Sequence, residues 1–222
     1  MTTPTDNELR NRLLESLKII TDDVQDLFID RHIFWEVQKT ITANPKLQQM
    51  PGTFNQWMAS NFVTSAALAV RRQSDQNIDS VSLRRLLEEL KARPDLFSRS
   101  YFTSLYKSGP PEHLKKMADH DYDKHVGAGR NELDPQRIQQ DIDLLTAKTD
   151  QIRHYVNKKL AHYDMKGLRQ PVPTFNDLDD TMKSLKELLQ KYNLIMRATW
   201  LSDLLPTFQF DWTEVFRIPW IS

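Results

Sequence analysis

The chain has no cysteine among its 222 residues. That excludes disulfides, thiolate metal sites and cysteine nucleophiles, and it fits a reducing compartment. Net charge is missing too. Thirty basic and thirty acidic side chains cancel, so any nucleic-acid binding must come from a local patch rather than a global field. No long apolar run occurs. The most hydrophobic window, Phe62 to Val70, is short and interrupted by Thr64 and Ser65, so no bilayer span is expected. Glycine is scarce, and Gly127-Ala128-Gly129 has neither a preceding strand nor the spacing of a phosphate-binding loop. A Ser-His-Asp reading finds no nucleophile elbow. Met1 to Asp6 has neither a basic nor an apolar segment, so no signal peptide is expected, and the protein is read as soluble and cytoplasmic.

What the chain does have is helical periodicity. Thr5-Asp6-Asn7-Glu8 is a capping box, and apolar residues from Leu9 to Ile41 then recur at helical spacing up to Asn44-Pro45, with Asp30 as the candidate position for a kink. Pro45 to Gly52 reads as a linker. Thr53-Phe54-Asn55-Gln56 reads as a second capping box, opening a helix that delivers Arg71 and Arg72 to its end. Val81 to Leu90 makes a short helix closed by Pro94, and Asp95 is the expected cap of the next. Ser108-Gly109-Pro110-Pro111 breaks the ladder before a polar helix, Glu112 to Val126.

The longest signal begins at Asp134-Pro135, a cap followed by proline at the first helical position. Ile138, Ile142, Leu145, Ile152 and Val156 form one stripe, with Thr149 in its gap. The pattern predicts about 28 residues of helix, about 42 Å long, reaching Asp164. At about 100° per residue, His162 lies off that stripe, on the face of Gln151, Tyr155 and Lys158, while Arg153 points the opposite way. A histidine there is either a capping cation or a working side chain. Thr174 or Asn176 caps a last helix, with Leu178, Met182, Leu185, Leu189, Tyr192 and Met196 as its stripe, reaching about Asp203. The expected fold is an all-α bundle of six to eight helices over 1–205. A tail, 206–222, carries Phe208, Phe210, Trp212, Phe216 and Trp220, and should pack on the body or on a partner.

Two charged groupings need weighing. Glu112, His113, Asp119, His120, Asp121, Asp123 and His125 could suggest a metal, but their spacing gives no helical ligand pair, and a solvated segment is the better reading. Arg71, Arg72, Arg84, Arg85, Lys158 and Lys159 form either a basic patch or ordinary solvated faces.

The run Asn157-Lys158-Lys159-Leu160-Ala161-His162, with Asp164 behind it, resembles the signature helix of the HEPN superfamily, in particular its abortive-infection members of the AbiU type. That signature is an Arg, then Asn, Asp or His, a few residues, and a His often preceded by Ala. Arg71-Arg72 with Asp75, followed by Ser82 to Leu87, is similar to the family's earlier helix pair. The resemblance implies a HEPN-like fold in phage defence. It also implies a homodimer and no cofactor or metal, with RNA, or a partner protein of the same defence system, as a further ligand. As a metal-independent ribonuclease the chain would use His162 and Asn157 as catalytic residues, and Arg71, Arg72 and Lys158 toward RNA. Val156 stands where the family has its Arg, which leaves a second reading, a HEPN-fold binding module without cleavage. A third is a helical interaction protein of unrelated origin.

Overall fold

The computed structural model describes residues 4–107, 111–160 and 171–218. Thr5 opens the first helix by the expected reciprocal cap. Its hydroxyl accepts from the Glu8 amide at 3.3 Å, and the Glu8 carboxylate accepts from the Thr5 amide at 2.7 Å. Helix α1 then runs from Asp6 to Ala43, burying Leu13, Leu17, Ile20, Val24, Leu27, Phe34 and Val37. Arg31 holds the one position of this stripe without an apolar side chain. Its guanidinium donates to both oxygens of Asp179, at 2.6 and 2.8 Å, so a forked ion pair takes the place of packing and one helix continues through Asp30.

Asn44 and Pro45 start a single turn, α2 (Pro45–Gln48), inside the stretch expected to be a linker. Helix α3 (Thr53–Gln73) starts without a side-chain cap. Gly52 occupies the cap position, and Thr53, the expected cap, is already helical. It packs along α1, where the Phe34 and Phe62 rings stack at 4.4 Å. Helix α4 (Leu83–Ala92) is capped by Ser82 and buries Leu83, Leu86, Leu87 and Leu90. Asp95 does not cap the next helix. It lies within a 3-10 turn, Pro94–Phe97, and pairs with Arg93, while Ser98 caps α5 (Arg99–Ser104). Helix α6 spans Pro111–Val126.

Asp134 caps α7 (Pro135–Tyr155), accepting from the Gln136 amide at 3.0 Å. The whole predicted stripe is buried, Thr149 included, whose hydroxyl donates to the Leu145 carbonyl at 2.8 Å and so enters the core satisfied. Helix α8 (Phe175–Arg197) starts at a capping box between Thr174 and Asp177 and is buried on nearly all sides. Its expected stripe is in the core. It ends at Arg197, short of Asp203, because Ala198 turns left-handed at φ 51°. Helices α1, α3, α7 and α8 thus share one apolar centre, in which each fully buried Leu contributes about 1.5–3 kcal/mol.

The architecture is all-α, with no strand among the described residues. No helix among them is long and apolar enough to cross a membrane. From the tail, Phe208 stacks on His32 at 5.4 Å and Trp212 meets the same ring edge-on at 6.1 Å. Phe210 is 74% exposed. Trp220 lies outside the described residues.

Candidate functional site

The α7 stripe ends at Val156, which has no solvent exposure. At that point the backbone leaves α geometry. Val156–Leu160 form a π-helical turn, a widened register that occurs often at functional sites. Burial of Val156 fixes the rotation of this turn, so the next residue, Asn157, faces outward. The expected α-helix therefore stops at Tyr155 and passes into π geometry as far as Leu160. Its remainder, with Ala161, His162 and Asp164, lies outside the described residues.

Asn157 is met by the end of α3. The Arg71 Nε donates to Asn157 Oδ1 at 3.0 Å, and Arg71 Nη1 lies 3.7 Å from the carboxylate of Asp75, one turn further on. The Ser74 hydroxyl donates to the Arg71 carbonyl at 2.9 Å, closing the helix just behind this side chain. Lys158 comes after Asn157 in a half-exposed position, and Lys159 is exposed. Arg153 takes no part here. It pairs with Asp150 on its own helix at 2.8 Å.

The other expected cations are drawn elsewhere. Arg72 turns toward α1 and pairs with Asp23, whose second oxygen accepts from Gln73 at 2.6 Å. Gln73 in turn accepts from the Leu83 amide at 3.0 Å, so this buried amide ties α1, α3 and the start of α4 together. Arg84 donates to Glu88 at 2.8 Å and to the Thr146 hydroxyl at 2.5 Å, and Arg85 donates to Glu88 at 2.7 Å. Burial pushes the Glu88 carboxyl upward, yet the two guanidinium hydrogen bonds outweigh it and hold its pKa below the usual value. The four arginines are thus held in ion pairs with Asp75, Asp23 and the shared Glu88, and of the four Arg71 is the one that reaches the signature turn.

The His and Asp segment of α6 has structural duties. Arg99 bridges Asp119 and Asp123, and the Tyr106 hydroxyl donates to Asp121 at 2.7 Å. Among the described residues, no group of three or more His, Asp or Glu side chains is arranged to hold a metal ion. The sequence named Tyr155 only as a neighbour on the expected His162 face and gave Phe175 no role, yet both line a cleft between α3, α7 and α8. Phe175 directly follows the cap Thr174, a place that reads as a helix start rather than as a wall.

The described residues thus form an all-α bundle in which Arg71 of α3 bonds to Asn157 in the π turn that follows α7. The family model for AbiU2, a HEPN group, matches residues 14–215. The chain belongs to this AbiU2 family, and so to the HEPN-like proteins of abortive infection and phage defence. No curated protein and no solved structure matches it.

Proposed function

We propose that the chain is a metal-independent endoribonuclease in which Arg71, from α3, supplies the cation that the family takes from the residue before Asn157. The observation that carries this reading is the 3.0 Å hydrogen bond from Arg71 to Asn157. In the reaction, His162 takes the proton of a ribose 2′-hydroxyl, and that oxygen attacks the adjacent phosphorus. The bond to the 5′-oxygen breaks as that oxygen takes a proton from water, and the protonated imidazole returns its own proton to solvent. The products are a 2′,3′-cyclic phosphate and a 5′-hydroxyl. Histidine suits the transfer because its ordinary pKa lies near neutrality. Asn157 positions the substrate by hydrogen bonding. Arg71, with Lys158 beside it, offsets the charge that grows on the phosphoryl oxygens, while Arg72, held by Asp23, contributes at most at longer range.

The functional unit in this reading is a homodimer in which the two His162 ends approach one another. Light scattering at tens of micromolar, a scale at which weak dimers associate, should give twice the chain mass. A monomer there counts against it. The decisive experiment is cleavage of RNA in chelator, with end-group analysis for the cyclic phosphate. Cleavage should vanish in His162→Ala, and survival of wild-type cleavage in that variant would sink the mechanism.

One observation favours a second reading. Val156 is sealed in the core, so the family's Arg position serves packing in this chain. If purified protein cuts no RNA, the site is that of a HEPN-fold module that binds RNA or a partner protein of the same defence system.

A further inference from the structure

A cleft of about 310 Å³ opens between α3, α7 and the start of α8. Its walls are Val63 and Ala67 of α3, Ile152 and Tyr155 of α7, and Phe175 and Leu178 of α8. Val63, Ala67 and Arg71 are spaced four residues apart and so form one line on α3, with Arg71 about 6 Å beyond Ala67. On the other side Tyr155 leads within two residues to Asn157. Both elements therefore run from the cleft to the pair, and the cation stands at its end. Phe175 is a fixed wall, packed against Phe34 at 5.6 Å and Trp35 at 5.5 Å.

We infer that this cleft is a nucleobase subsite, taking one unstacked base of a single-stranded RNA whose phosphate lies at Arg71. The inference rests on the proposed ribonuclease function and names what that site would recognise. The volume is at the small end of the range for ligand sites, about 300–1,000 Å³, and suits one planar ring system. The lining is mostly apolar, with Thr174 as a polar exception, and carries two aromatic side chains, the surface on which proteins stack unpaired bases. An apolar cleft alone could take an aliphatic side chain. A guanidinium at its end, with Lys158 and Lys159 next on the π turn, calls for a ligand that joins a flat apolar group to an anion. A nucleotide is such a ligand, and the one-turn step from Ala67 to Arg71 is of the size that separates base from phosphate.

The test uses the full chain with the four nucleoside 3′-monophosphates, and ribose phosphate as the control without a base. Equilibrium dialysis gives affinity, and saturation-transfer NMR shows which ligand protons touch protein. The best nucleotide should bind about tenfold or more tighter than the control, with base protons saturated more strongly than ribose protons. Val63→Phe, which fills the cleft, and Tyr155→Ala, which strips a wall, should each bring affinity down to that of the control. Tyr155→Phe should restore it. Melting curves identify a variant that does not fold, and the comparison of nucleotide with control needs no variant. Equal affinity for nucleotide and ribose phosphate overturns the subsite. Base-dependent binding by a chain that cuts no RNA leaves the subsite standing while the nuclease reading falls, and cleavage without base-dependent binding does the reverse. If Val63→Phe leaves nucleotide binding intact but dissociates a dimer, the cleft belongs to a second copy and the inference is overturned.

Discussion

Arg71 and Asn157, 86 residues apart in sequence, are joined by a hydrogen bond of 3.0 Å. The bond links the last turn of α3 to the π turn at the end of α7, and it sets the orientation of both side chains. A guanidinium brought from another helix can offer a fork of donors that the neighbouring Lys158 lacks. The buried Val156 and the imported Arg71 are therefore two sides of one arrangement. The residue before Asn157 packs, and on the nuclease reading α3 provides the charge.

Removing Arg71 should lower activity far more than stability. Its side chain is 40% exposed and its pairing with Asp75 is long, so its loss costs the fold little. On the nuclease reading, Arg71→Ala should reduce cleavage about 10²–10³-fold, the usual effect of losing one transition-state donor. Arg71→Lys should fall between, because it keeps the charge without the fork. Single-turnover rates and melting curves of both variants check this. A full rate in Arg71→Ala removes Arg71 from the mechanism.

Much of the bundle was legible because burial leaves a periodic trace. The α7 stripe, the α8 stripe, the capping box at Thr5 and the cap at Thr174, one of two candidates, are local patterns and each is present, whereas the box expected at Thr53 is not. The π turn was not legible. It changes hydrogen-bond register without disturbing the apolar spacing up to Val156, so the sequence reads as one continuous helix. Nor were the partners of the basic run. Asp23 lies 49 residues before Arg72, and no spacing rule joins them. Asp95 failed as a cap for a further reason. Arg93 is two residues away and captures its carboxylate, and Ser98 is better placed before α5. At the site, Asn157 and Arg71 could be named from the motif, but which of two adjacent arginines faces Asn157 depends on the rotation of α3 against α7.

The tail offers a sharp contrast between two phenylalanines. Phe208 stacks on His32, and Phe210 points to solvent. Phe208→Ala should destabilise the protein by about 1 kcal/mol, the scale of an aromatic pair beyond its area term. Phe210→Ala should stay within about 0.5 kcal/mol. Urea midpoints at constant slope read the difference. Equal effects would mean that the contact with His32 holds nothing.

Acidification should weaken the attachment of α6 through His125. Burial lowers its pKa below 6.5, and Lys124 and Lys191 lower it further, against an opposing pull from Asp121. The folded state thus binds this proton less readily than the unfolded chain. The stability that His125 contributes is full above the unfolded value and is lost as pH falls through the folded one. Between pH 7 and 5 the melting temperature of wild type should drop more than that of His125→Gln. The same drop in both would assign the effect to other groups.

Val156 gives the last prediction. It closes the α7 stripe, has no solvent exposure, and its amide bonds to the carbonyls of Ile152 and Arg153. An arginine here would restore the family's motif on paper. In this fold its stem would start inside the core, with Ile152 and Leu145 beneath it on the same stripe. A charge left there without a partner costs several kcal/mol, a large share of the roughly 5–15 kcal/mol that holds a domain together. Val156→Arg should therefore melt far below wild type or fail to accumulate, with any cleavage falling in step with the folded fraction. Val156→Ile separates charge from size, since one added methylene in a packed core costs about 1–3 kcal/mol. If Val156→Arg instead melts like wild type and cuts RNA faster, the π turn can rotate that position outward. Arg71 would then no longer be needed as the source of charge.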